Sequence, residues 1–142
     1  MSNKTHYAAG FMFDKGRVAL IQKNRPAWQA GKFNAIGGHI EQFEDGITAM
    51  VREFEEETGL KTKAEDWNRF AILHGNDFEV QFFCAEGSTE GIRSVTDERV
   101  FVVYPLGIQT ELMIPNLRWL IPAAQLALAQ PSPVLSVVEC EQ

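Results

Sequence analysis

From Arg52 to Glu57 the chain reads REFEEE, which places four carboxylates within five consecutive positions. The residues around them repeat as a helix does: Ile47, Met50, Val51 and Phe54 follow i, i+3, i+4, i+7 spacing and mark one buried stripe. On such a helix Glu53, Glu56 and Glu57 share an arc of about 100°, while Glu55 points to another side. The three border the apolar stripe, where water screens them poorly. Each like-charge pair at this spacing costs an isolated helix roughly 0.2–0.5 kcal/mol, and more where burial lowers the dielectric. Arg52 relieves part of that cost through its i+4 partner Glu56. A hard divalent cation relieves more, because convergent carboxylate oxygens are the ligand set that Mg²⁺ or Mn²⁺ prefers. A solvated acidic helix face is the ordinary alternative, and the flanking residues must decide between the two.

The elements that must position this helix can be read on both sides of it. Asp45 is placed to cap its start and Gly59 to close it with a left-handed residue, for a span of about Asp45 to Thr58. Upstream, Tyr7 to Phe13 and Val18 to Lys23 flank Asp14-Lys15-Gly16-Arg17 and predict a β-hairpin. Between hairpin and helix, Asn24 to His39 carries Pro26, Gly31, Gly37 and Gly38, which predicts a long irregular connection of the kind that often carries function. Downstream, Phe70 to His74, Glu79 to Ala85 and Val100 to Tyr104 predict strands, the first two joined across Gly75-Asn76-Asp77. Asn116 to Gln130 predicts a second helix that Pro122 should kink or restart. The final PSPVLSVVECEQ suggests no role beyond a peripheral tail. This order implies one α/β domain over residues 1–142, with a mixed sheet sandwiched between helices.

Composition narrows the partners. With 142 residues, 45% hydrophobic and 23% charged, the chain can build a sizeable core. A net charge of −6 argues against a nucleic-acid polymer or an anionic membrane as partner, since both require clustered Lys and Arg. Cys84 and Cys140 are too few for a disulfide scaffold, and no run approaches the ~18 apolar residues of a membrane span. With no signal-peptide core in MSNKTHYAAGFMFDKG, a cytoplasmic location is the expectation.

Beyond the acidic run, the segment from Gly38, GHIEQFEDGITAMVREFEEETGL, fits G-x5-E-x7-R-E-U-x-E-E-x-G-U, with U a bulky apolar residue. Gly38, Glu44, Arg52, Glu53, Phe54, Glu56, Glu57, Gly59 and Leu60 fill every defined position. At average residue usage the fixed identities alone would coincide at a given start with a probability below about 10⁻⁷. The segment resembles the Nudix box. That resemblance implies an α/β/α sandwich and hydrolysis of a diphosphate linkage with Mg²⁺ or Mn²⁺ as cofactor. It places the Gly38 carbonyl with Glu53, Glu56 and Glu57 on the metal, and Arg52 and Glu44 as the groups that orient those glutamates. In the family a further acid from a loop before a late strand often completes the metal or base site. Glu98 is the best match, with Asp97 adjacent and either able to serve.

The flanks GKFNAIGGHIE and LMIPNLRWLIP look like those of the MutT and 8-oxo-dGTP diphosphatase branch, in which an Asn at each place can read a purine edge. Asn34 and Asn116 fall there, and an amide has the required donor and acceptor. Asn116 also suits a helix cap. Lys23 or Arg25, where the second strand meets the loop, would supply positive charge for a triphosphate, and Trp28 a wall of the base pocket. The branch often has Lys where His39 stands and Gly where Phe43 stands. The expectation is a nucleoside triphosphate pyrophosphohydrolase, possessing a nucleotide as its small-molecule partner and working as a monomer or homodimer. ADP-ribose, a dinucleoside polyphosphate and a pterin triphosphate are the rival substrates, and a non-catalytic nucleotide sensor is the rival function.

Overall fold

The computed structural model describes residues 3–140. The hairpin forms with a two-residue turn: strand β1 (Thr5–Asp14) meets β2 (Arg17–Gln22) with Phe13 opposite Val18 and Asp14 opposite Arg17. Lys15 and Gly16 take φ of 51° and 85°, the left-handed pair that such a tight turn demands. Only the ends of the two strands pair. Farther back, Tyr7 to Gly10 of β1 pair instead with β4 (Ile36–His39).

That pairing departs from the irregular connection predicted over Asn24 to His39. The connection holds a 3₁₀ turn at Ala27–Gln29, a short strand β3 (Phe33–Asn34) beside β2, and β4. Gly37 and Gly38 read as loop residues, yet both lie in β4, and Gly37 is what lets β4 approach β1: a Cβ on it would collide with the Ala8 carbonyl oxygen.

The predicted helix is α1 (Gly46–Thr58). The Asp45 carboxylate accepts the Thr48 N–H at its start, and Gly59 closes it at φ 77° with its N–H on the Glu55 carbonyl. The Thr58 hydroxyl, fully buried, donates to the Phe54 carbonyl and accepts the Leu60 N–H, which holds the exit of the helix. Next come β5 (Asn68–His74), β6 (Phe78–Glu86), β7 (Arg99–Val103), α2 (Leu117–Ala129) and β8 (Leu135–Val138). Helix α2 runs through Pro122, whose ring sits on the solvent side, so the freed carbonyl can be hydrated. The predicted peripheral tail is part of the sheet, since Leu135–Val138 pair in parallel with Ala71–His74.

The sheet is mixed, with path β3-β2-β1-β6-β5-β8 and with β4 on β1 and β7 on β2. β1 with β6 and β5 with β8 run parallel; the other pairs are antiparallel. Each face carries a core. On one, Met50 and Phe54 of α1 pack with Ala8, Met12, Ile36 and Trp67. On the other, Leu117, Leu120 and Ile121 of α2 pack with Phe11, Phe70 and Phe82. The α/β/α sandwich therefore pins α1 across β4, β1 and β6, with its acidic side at the mouth of the long connection.

Candidate active site

Arg52 organises the acidic helix. Its Nε and one terminal nitrogen donate to the two Glu44 oxygens at 2.8 Å each, a bidentate pair. Its other terminal nitrogen donates to Glu53 at 2.9 Å and more weakly to Glu56 at 3.3 Å, and the His39 carbonyl takes the remaining contact at 2.9 Å. The Glu44 carboxyl is held down to about 2, first by the Arg52 hydrogen bonds and also by the Glu41 N–H. Arg52 is correspondingly held above its ordinary value by Glu44 and Glu53. Phe43, just before Glu44, adopts φ 67° with a wholly exposed ring, a left-handed turn position that favours glycine.

The other two acids are in a different state. The Glu53 carboxyl lies directly over Gly38, where a Cβ would stand 2.5 Å from it, so only glycine leaves the space. Burial raises Glu53, against the pull of Arg52. Glu57 is pushed up to about 7, first by burial, with Glu53, Glu98 and Glu56 adding repulsion and Lys23 opposing them. One Glu57 oxygen, Oε2, is buried with no hydrogen-bond partner.

Across from α1, two loops clasp each other. Lys23 donates from Nζ to Glu98 Oε1 at 3.0 Å, and the Asn24 N–H donates to Glu98 Oε2 at 2.6 Å. Glu98 is only 6% exposed; burial would raise it, but those hydrogen bonds outweigh burial and hold it below its ordinary value. Asn24 also donates to the Asp97 carbonyl, and Arg25 makes a bidentate pair with the Asp97 carboxylate in open solvent. Of the two candidate acids, Glu98 is the one paired with Lys23 and repelling Glu57, while Asp97 is paired with Arg25.

The two asparagines are brought near each other, because the Ile114 N–H donates to the Phe33 carbonyl and Met113 bridges Phe33. Their amides differ. Asn34 donates to Gln29 and accepts from the Ala35 N–H. Asn116 makes no side-chain cap and sits at helical φ and ψ, with Oδ1 buried and unpartnered. Trp28 is 61% exposed on the turn that carries Gln29. Trp67 is buried in the core against Phe54, with its ring N–H on Thr62. The Asn24 bonds, the Gln29 contact and the His39 carbonyl were not legible in the sequence, since no periodicity or motif links Asn24 to Glu98.

Among the described residues, no three acidic, His or Cys side chains stand close enough to ligate one ion as placed, and Arg52 bridges Glu53 and Glu56. The donor set nevertheless fits a hard divalent cation. Glu57 presents a buried carboxylate oxygen without a donor, Glu53 is lodged on a bare backbone, and Glu56 is free on its outer side.

A sequence profile of the NUDIX domain matches residues 4–124. The chain belongs to the Nudix family. As a member it is a hydrolase of phosphoric anhydride bonds, in a family acting on small molecules of nucleotide type. Among curated proteins no sequence matches significantly. Solved structures share the fold at low identity. A NUDIX hydrolase from Nitrosomonas europaea aligns with a TM-score of 0.77 at 14% identity, over 98% of this Nudix chain and 81% of that one. The mutator protein MutT from Bacillus halodurans aligns at 0.68 and 21%, over 83% and 80%. A MutT/nudix family protein from Enterococcus faecalis aligns at 0.66 and 16%, over 72% of this chain, which spans 44% of that protein's length. Among the described residues of this Nudix protein, no helix is long and apolar enough to cross a membrane.

Proposed function

We propose that this Nudix chain hydrolyses a purine nucleoside triphosphate, with oxidised purines such as 8-oxo-dGTP included, to the monophosphate and pyrophosphate. Glu53, Glu56, Glu57 and the Gly38 carbonyl would hold Mg²⁺, or Mn²⁺ in its place. That cation, when bound, would neutralise phosphate charge and lower the pKa of an attacking water. Arg52, anchored by Glu44, keeps Glu53 and Glu56 directed into the site. Glu98, charged at neutral pH and fixed by the Asn24 N–H, is the carboxylate placed to accept the water proton. Lys23 balances the incoming phosphates. Asn116 offers its unpartnered amide oxygen to a donor on the base.

The observation that carries this reading is the buried Glu57 oxygen with no donor, among like charges that a bound cation would reconcile. Support for contact with a base comes from Asn116, since an unpaired buried carbonyl costs about 1–3 kcal/mol and a base N–H would remove that cost.

The test is a product assay with Mg²⁺ on dGTP, 8-oxo-dGTP, dCTP, ADP-ribose and diadenosine polyphosphates. Pyrophosphate and a nucleoside monophosphate should appear fastest with a purine triphosphate. Preferential cleavage of ADP-ribose or a dinucleoside polyphosphate, or tight nucleotide binding with no turnover, would overturn the proposal.

A further inference from the structure

Strands β2 and β7 keep one register from Val18 opposite Val103 to Gln22 opposite Arg99, and the ladder stops there. Continued by two residues, the same register sets Lys23 opposite Glu98 and Asn24 opposite Asp97. The Lys23 backbone is turned away from β7, since its N–H donates to the Lys32 carbonyl at 2.8 Å and its carbonyl accepts the Gly31 N–H at 2.7 Å. Successive residues of a strand alternate. The Asn24 N–H is therefore turned towards β7, where an antiparallel ladder would next offer it the Asp97 carbonyl.

That bond is not made. The Asn24 N–H goes to Glu98 Oε2 at 2.6 Å, and the Asp97 carbonyl is taken by the Asn24 side-chain amide at 2.9 Å. A carboxylate has replaced a carbonyl on a ladder donor, and an amide side chain has satisfied the carbonyl so displaced. The Asp97 carboxylate is engaged elsewhere, in its bidentate pair with Arg25. Glu98 thereby sits buried at the end of the β2–β7 ladder, with Lys23 on its other oxygen. Asparagine suits this exchange because it is short and carries a donor; an aspartate of the same shape could only repel the carbonyl.

We propose that the Asn24 side-chain amide is a positioning group for Glu98: it occupies the Asp97 carbonyl and so keeps the Asn24 N–H for the carboxylate. The inference rests on the reading of Glu98 as the proton acceptor. Asn24 acts through Glu98 and moves no proton itself. Without the amide, the ladder gains its next bond, from the N–H of residue 24 to the Asp97 carbonyl. Glu98 is then left with Lys23 alone, the partner that incoming phosphates would draw away. The competing role is purely structural, an amide that ties the loop before β7 to the end of β2.

Kinetics of N24A and N24D, alone and combined with E98Q, separate the two roles, together with the NMR signal of the residue 24 amide proton. The loss of one side-chain hydrogen bond should lower kcat about three- to tenfold in both single variants, with KM changed by less than about twofold. The amide proton, far downfield in the wild type on its short charge-assisted bond, should move upfield in N24A as it does in E98Q. On the E98Q background N24A should cost nothing further, because its route to the reaction is already gone. The same fractional loss with and without E98Q would show a structural role and overturn the proposal, as would wild-type kcat in N24A or an amide proton that stays in place. Failure of the proton-acceptor reading would show separately, as full turnover by E98Q alone.

Discussion

Replacing Glu57 by Gln should make the metal-free protein more stable while removing its response to magnesium. Burial and three neighbouring carboxylates raise Glu57 from 4.5 to about 7. A carboxyl whose folded value lies above its unfolded one is penalised only when ionised. Below pH 4.5 both states are protonated and no penalty exists; as pH climbs to about 7 the folded carboxyl must ionise against its surroundings, and above that the cost is complete. At full strength the rise amounts to about 3 kcal/mol, and partial solvent exposure reduces it to about 1–2 kcal/mol. A Gln amide of the same shape removes the charge and with it the repulsion from Glu53, Glu98 and Glu56. For a domain of this size the gain corresponds to roughly 3–10 °C in Tm. Melting curves in EDTA should show that gain at pH 8 and almost none at pH 4. Magnesium should raise the Tm of the wild type at pH 8 and leave the variant unmoved, and pyrophosphate release should fall to background. A variant that melts at or below the wild type in EDTA at pH 8 would refute the claim that Glu57 is an unreconciled charge.

Two substitutions probe the neighbouring geometry. In Gly38→Ala the new methyl would stand 2.5 Å from the Glu53 carboxyl, the flexible end of a side chain, so the acid swings away at little cost to the fold. Magnesium-dependent turnover should fall at least about tenfold while Tm shifts by only a few degrees; a large loss of stability with turnover per folded molecule intact would contradict this. Asn116→Ala deletes a buried, unpaired oxygen that caps nothing, so urea midpoints should stay level or rise slightly. Its kcat/KM ratio for purine over pyrimidine triphosphates should drop, and equal losses on both would count against base reading.

The sequence disclosed α1 down to its caps because local rules suffice there: an apolar stripe, an Asp before it and a Gly after it. The same rules missed β4 and β8. Gly37 looks like a loop residue until β1 is known to pass so close that no side chain fits, and Leu135–Val138 is a four-residue edge strand whose partner among the described residues lies some sixty residues away. The site divides in the same manner. Arg52 with Glu56 follows from i, i+4 spacing, whereas Lys23 with Glu98 joins residues 75 positions apart and has no local signature. Asn34 and Asn116 were singled out alike, yet only tertiary contacts show one amide engaged by Gln29 and Ala35 and the other left open.

That non-local clasp bears on how the proposed reaction is timed. Lys23 donates to Glu98 Oε1 and also lowers Glu57 against the repulsion around it, so one ammonium serves acids on both sides of the site. A phosphate that draws Lys23 towards itself releases Glu98 Oε1, but Oε2 remains on the Asn24 N–H, a backbone donor that cannot follow. Glu98 thereby gains a free lone pair without losing its orientation. With Lys23 withdrawn, both Glu98 and Glu57 also rise in proton affinity, Glu98 because a hydrogen bond to its charged form is gone and Glu57 because an opposing charge has moved. Substrate charge would thus raise the basicity of Glu98, the carboxylate proposed to accept a proton, only once the phosphates have arrived, and a bound cation would keep Glu57 ionised against the same change.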